Sequence, residues 1–241
     1  MKTTSQIKGI SSMATRALLA ELAAAFAQRC GQVMSIESVG GVEAARRVQA
    51  GEDFDLVVLA ADAIDKLIAG GHLLAGSRFD LARSGVSVAV RADAPRPDIS
   101  SEAALREAVL AARSVGYSTG PSGVQLARLF ERWGITEQLA ERIVQAPPGV
   151  PVGSLVAAGE VELGFQQLSE LMGLPGITVL GPLPPTIQIV TTFSAGIGAG
   201  STQGEGIRRL LGFMALPAST ETIRQHGMES CLTTANQGYI Q

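Results

Sequence analysis

Aromatic residues, cysteine, histidine and basic clusters are all scarce in this sequence. Phe, Trp and Tyr make up 4% of its 241 residues, too few for the stacking platforms that hold single-stranded nucleic acid. The net charge is −3 and Lys and Arg never cluster, so no nucleic-acid partner is expected. Two cysteines, Cys30 and Cys231, and two histidines, His72 and His226, fit no metal-ligand spacing. The expected metal and cofactor content is therefore none. The thiols read as free and partly buried, the imidazoles as surface groups. No apolar run approaches the about 20 residues of a membrane span, so no membrane insertion is expected. The N-terminus lacks the basic start and uninterrupted apolar core of an export signal; the apolar run 17–26 is broken by Glu21 and has a helical period. As written, the chain reads as cytoplasmic, and as periplasmic if a signal has been removed from it. No glycine run ends in a Walker lysine, and neither a Gly-x-Ser-x-Gly elbow nor a dinucleotide fingerprint occurs. No catalytic residue is assigned.

What is present is a folded α/β pattern. Apolar residues reach 46% against 17% charged, which excludes disorder, and the length suits two small domains. Strand-like and helix-like segments alternate throughout. Strands are expected over 7–10, 33–39, 55–60, 86–91, 114–118, 143–145, 161–166, 177–180 and 187–195. Helices are expected over 15–29, 42–50, 63–69, 102–112, 124–133, 151–158, 167–172, 204–216 and 219–226. The run Leu56-Val57-Val58-Leu59 is apolar on both faces, as a buried parallel strand requires. This alternation predicts parallel sheets flanked by helices. Two segments, 82–85 and 187–193, read as crossings between domains. They divide the chain into a lobe of 1–83 plus 192–241, carrying both termini, and an inserted lobe of 84–191.

Four segments follow a strand, carry small residues and lead into a helix: Gly9-Ile10-Ser11-Ser12, Val39-Gly40-Gly41, Thr119-Gly120-Pro121-Ser122-Gly123 and Gly149-Val150-Pro151-Val152. A helix start offers free N–H groups and partial positive charge. Small residues let an anion reach that backbone, and serine adds a hydroxyl. Each segment also has a plain structural reading: Ser11 or Ser12 as an N-cap, Gly40-Gly41 as a tight turn, Pro121 as a helix start. Asp62, at the end of a buried strand, could face a cleft or cap the next helix, and capping is the favoured reading. Arg83, at the first crossing, could grip a carboxylate bidentately. Gln166 and Gln167 end an apolar strand, and one of them should turn inward as a neutral donor and acceptor. The candidate ligand-binding set is Ser11, Ser12, Gly41, Arg83, Ser122, Gly123, Val152, Gln166 and Gln167.

Several of these segments resemble molybdate-type periplasmic solute-binding proteins. Gly9-Ile10-Ser11-Ser12 resembles their first ligand loop, and Phe54-Asp55-Leu56-Val57-Val58-Leu59-Ala60-Ala61 their third strand and its turn. Gly120-Pro121-Ser122-Gly123, the stretch Gly159 to Gln167, and Gly181-Pro182-Leu183-Pro184-Pro185 resemble a large branch of that superfamily, which also resembles the aconitate isomerases. The resemblance implies a type II periplasmic-binding fold: α/β in class, two lobes, two crossings and a ligand cleft between lobes that closes by a hinge over an anion. Ser11 or Ser12 then matches the family's ligand serine. Gly41 stands where molybdate binders usually carry a second serine, which shifts the expected ligand from molybdate towards a carboxylate. The implied function is binding of a small oxyanion or di- or tricarboxylate, as an ABC-transporter receptor if the protein is exported. The alternative is a cytosolic isomerase of unsaturated polycarboxylates.

Overall fold

A computed structural model describes residues 6–231; the outer ends of the first expected lobe, 1–5 and 232–241, lie outside them. The elements in chain order are β1 (Ile7–Ser12), α1 (Arg16–Cys30), β2 (Met34–Val39), α2 (Gly41–Gln49), β3 (Leu56–Ala60), α3 (Ala61–Ala69) and β4 (Phe79–Arg91). Then come α4 (Glu102–Ala111), β5 (Val115–Ser118), α5 (Pro121–Arg132), α6 (Thr136–Leu139), β6 (Ile143–Ala146), α7 (Val152–Ala158), β7 (Leu163–Gln167) and α8 (Leu168–Leu171). The last are β8 (Ile177–Pro182), β9 (Val190–Ile197), α9 (Gly204–Met214), α10 (Pro217–Gln225) and β10 (Glu229–Ser230). The chain gathers into two compact units. One runs up to Arg83 and resumes at Thr192, and the other is Ser84–Thr191. The chain passes from one to the other within β4 and within β9.

In the first unit β1 lies between β2 and β3, parallel to both, and β9 runs antiparallel to β3. The five residues of β3 are all buried. Leu56 and Val58 join Leu18, Leu22 and Phe26 of α1 and Leu210 of α9. Val57 and Leu59 join Val48 of α2 and Ile64 and Leu67 of α3. Side chains of a strand alternate between its faces, so this unit is layered helix, sheet, helix. Gly31 ends α1 with a φ of 72° and donates its N–H to the Ala27 carbonyl, the left-handed cap that glycine adopts without a Cβ penalty.

In the second unit β5 lies between β6 and β7, parallel to both, and β4 pairs antiparallel with β7 and β8. Val115, Leu126, Phe130 and Phe165 form one core with Leu105 and Val109 of α4. Ala146, Val152, Val156 and Val161 form a smaller one. Ser101 caps α4 by accepting the Ala104 N–H at 3.1 Å, and Pro121 occupies the first position of α5.

Several expectations differ from what is found. β4 starts at Phe79 rather than residue 86, because Asp80, Arg83 and Gly85 break the apolar alternation that marks a strand. Its pairing of Arg83 with Glu229 supplies the partner that a local reading cannot see. β1 runs on through Ser12 into a single 3-10 turn, Met13–Thr15; Ser12 stands at the N-cap position of that turn, but its hydroxyl caps no N–H. Asp62 caps nothing: it is exposed, with its carboxylate 3.9 Å from Lys66 Nζ one turn on. Among the described residues no helix is long and apolar enough to cross a membrane.

Candidate functional site

In the first unit the parallel register sets Ser11 opposite Ser38 and Ser12 opposite Val39, where Gly40 and Gly41 open α2. Ser11 Oγ lies 2.8 Å from Ser38 Oγ, so these two hydroxyls satisfy each other. Ser38 was not among the candidates, since nothing in its own segment marks it; the strand register brings it there. Ser12 is different. It is buried, its Oγ has no hydrogen-bond partner among the described residues, and it caps no helix N–H. Its carbonyl accepts from Thr15 Oγ1 at 3.1 Å, which pins the turn. A Cβ added to Gly41 would stand 3.6 Å from the Ser12 Cβ, an ordinary contact. Glycine therefore leaves open space beside an unsatisfied hydroxyl, next to the free first-turn amides of α2.

The second unit gathers its polar groups at the ends of β5 and β7. Ser122 and Gly123 follow Pro121 in the first turn of α5. Proline brings no N–H, so the amides of Ser122 and Gly123 and the buried Ser122 hydroxyl are the donors there. Gly123 has a packing reason as well: a Cβ would fall 1.8 Å from the Ser118 carbonyl oxygen, so only glycine lets α5 lie this close to β5. Val152 is fully buried in the smaller core, which leaves its backbone, not its side chain, to face any ligand. The next amide is occupied, since Gly153 N–H donates to Gln166 Oε1 at 3.2 Å.

Gln166 and Gln167 are both buried. Gln166 Nε2 donates to Glu170 Oε2 at 2.6 Å. Glu170 is half-buried on α8, and loss of hydration pushes its carboxyl up to about 7 against the opposing pull of the Gln166 hydrogen bond. No charged side chain shifts it, so this carboxyl titrates near neutrality in a neutral setting. It too was missed, because burial of one acid within a short helix leaves no trace in the local sequence. Gln167 Nε2 donates to Thr191 Oγ1 at 2.8 Å, while its Oε1 is buried without a partner among the described residues.

Arg83 is exposed on β4 in the first unit, and its guanidinium acts on the Cys231 thiol, which burial nevertheless pushes up. Cys30 and Cys231 are both free; Cys30 is exposed rather than partly buried. His226 Nε2 lies 2.8 Å from Glu21 Oε2, a tie between α1 and the residue after α10 rather than a bare surface position. No group of three or more His, Cys, Asp or Glu among the described residues could hold a metal ion.

The family model described as bacterial extracellular solute-binding protein matches residues 7–229. An aconitate isomerase from a Pseudomonas species is 36% identical over 226 residues, 91% of this chain and 86% of that protein. The molybdate-binding protein ModA of Azotobacter vinelandii is 27% identical over 189 residues, 75% of this chain and 73% of that one. The solved structure of the periplasmic molybdate-binding protein of Azotobacter vinelandii superposes with a TM-score of 0.77 at 22% identity, covering 92% of this chain and 98% of that one. The fold is accordingly the two-lobed type II periplasmic-binding fold. With the family model spanning nearly the whole chain, this protein belongs to the bacterial extracellular solute-binding proteins.

Proposed function

We propose that the chain binds a small di- or tricarboxylate on the hydroxyls and helix-start amides at its strand ends. The observation that carries this is Ser12: a buried hydroxyl with no partner among the described residues, beside a glycine that leaves space at the start of α2. A buried polar group left unpaired is rare and unfavourable, and an anion would satisfy it together with the neighbouring amides. Gly41 in place of a second hydroxyl favours a planar carboxylate over a tetrahedral oxyanion. Titration calorimetry against a panel of di- and tricarboxylates, with molybdate and sulfate alongside, tests this. Carboxylates are expected to bind and to raise the melting temperature as RT ln(1 + [L]/Kd). Binding of molybdate or sulfate alone would refute it.

A second reading is supported by Glu170 and by the 36% identical aconitate isomerase. Here the chain shifts a proton and a double bond within an unsaturated polycarboxylate. Ionised Glu170 takes a proton from carbon next to a carboxylate, and the electron pair spreads over the allylic system. After that proton exchanges with solvent, Glu170 delivers one to the far end, with no net change of charge or oxidation state. A base with pKa close to the working pH suits such a transfer, and hydroxyls and amides would hold the developing enolate. Incubation with trans-aconitate in D₂O, followed by proton NMR, tests this reading. Isomerisation with deuterium uptake is expected, and its absence across several unsaturated acids would exclude the enzyme while leaving binding intact.

A further inference from the structure

We propose that Ser84 and Gln167, with Ser169 beside them, form a polar subsite that recognises a hydroxyl group on the bound acid. The inference rests on the carboxylate-binding reading above. Of the buried side-chain atoms left without a hydrogen-bond partner among the described residues, Ser84 Oγ, Gln167 Oε1 and Ser169 Oγ all belong to the second unit. Ser84 is 1% exposed and Gln167 4%. The sheet register places the first two together. Val86 pairs with Gln167 across the antiparallel β4 and β7 ladder, and opposed residues of such a pair share a face. Ser84 precedes Val86 by two, so it lies on that face too, diagonal to Gln167 and within side-chain reach. Ser169 follows Gln167 by two, in the first turn of α8.

The chemistry of the group that fits is narrow. Gln167 Nε2 is committed to Thr191 Oγ1, which turns Oε1 the other way as a pure acceptor. Whatever meets it must bring a hydrogen. An ionised carboxylate oxygen cannot, and would set lone pairs against lone pairs. An alcohol donates to Gln167 Oε1 and accepts from a serine hydroxyl at once, so it satisfies two of the unpaired atoms with one group. Polar groups buried for one ligand hydroxyl discriminate strongly against the analogue without it, because that analogue leaves them unpaired.

Matched acids differing by one hydroxyl test this: malate against succinate, and citrate against propane-1,2,3-tricarboxylate, each titrated into the full chain by calorimetry. The hydroxylated member of each pair is expected to bind about tenfold more tightly or better. Ser84→Ala and Gln167→Met should each collapse that ratio towards unity by weakening the hydroxylated acids. Ser169→Ala serves as the second variant if Gln167→Met fails to fold by circular dichroism. Equal affinity of the paired acids for the native chain, the result if water fills the subsite, would overturn this inference and leave the carboxylate reading standing. So would a ratio that survives both substitutions. Failure of all four acids to bind, with another anion binding well, would overturn the carboxylate reading itself.

Discussion

The strand ends of the two units use different chemistry. In the first, the groups are hydroxyls and backbone amides: Ser11 paired with Ser38, Ser12 unpaired, and the opening of α2 at Gly41. None of these side chains changes charge with pH. In the second, the Ser122 hydroxyl and the first amides of α5 are accompanied by amide side chains and an acid, with Gln166 linking Glu170 to the Gly153 N–H, and Gln167 tied to Thr191. The difference is physical. Neutral donors can be buried cheaply once paired, whereas a carboxyl buried without a cation stays neutral to a higher pH. One unit thus offers only neutral donors at its strand ends, while the other adds a carboxyl held up to about 7 by loss of hydration.

The largest expected effect tests that division through Glu170. If the chain isomerises its ligand, Glu170→Gln should lower turnover by about 10²–10⁴-fold while ligand affinity changes little, because glutamine can still accept from Gln166. Single-turnover NMR rates beside calorimetric Kd values separate the two quantities. Retained turnover would place the proton transfer elsewhere.

Ser12→Ala and Ser122→Ala come next. Each removes a hydroxyl from a charged ligand, a loss of about 1.5–3 kcal/mol or roughly ten- to a hundredfold in affinity. The melting temperature without ligand should not fall for Ser12→Ala, since that hydroxyl bonds to nothing among the described residues. Normal affinity in both variants would show that the strand-end hydroxyls do not hold the anion.

A stability effect of similar size should follow Glu170 with pH. Its carboxyl sits at about 7 in the folded chain against an ordinary 4.5. Between those values the folded state keeps a proton that the unfolded state has lost, so stability falls as pH rises through that window. The fall should be at most about 3 kcal/mol. Urea unfolding of Glu170→Gln at pH 4.5 and pH 8 should show a variant that overtakes the native chain only at the higher pH. Equal pH slopes would mean that the carboxyl is well hydrated.

The smallest effect belongs to Arg83. It is exposed and faces Cys231, so Arg83→Ala should alter affinity by no more than about twofold, within the range of surface ion pairs. A hundredfold loss by calorimetry would instead make it the cation that meets a ligand carboxylate.

The residues at strand ends were legible because they interrupt a pattern. Ser12, Ser122, Gln166 and Gln167 are polar positions directly after apolar strands or beside glycine, where a core reading leaves them unexplained. Glu170 and Ser84 interrupt nothing: one looks like any acid on a short helix, the other like any serine in a polar stretch. The early part of β4 was hidden for the same reason, since its pairing partner Glu229 lies far along the chain.

The sequence by itself determined the alternation of strands and helices, the glycine stops, and the segments where small residues meet helix starts, because periodicity and backbone freedom are local properties. Only the tertiary structure decided which polar atoms are satisfied. Ser38 meets Ser11 but leaves Ser12 alone, and Thr191 takes one end of Gln167 and leaves the other. Partnership and desolvation depend on what distant segments bring within about 3 Å, and that distance exists only once the chain has folded.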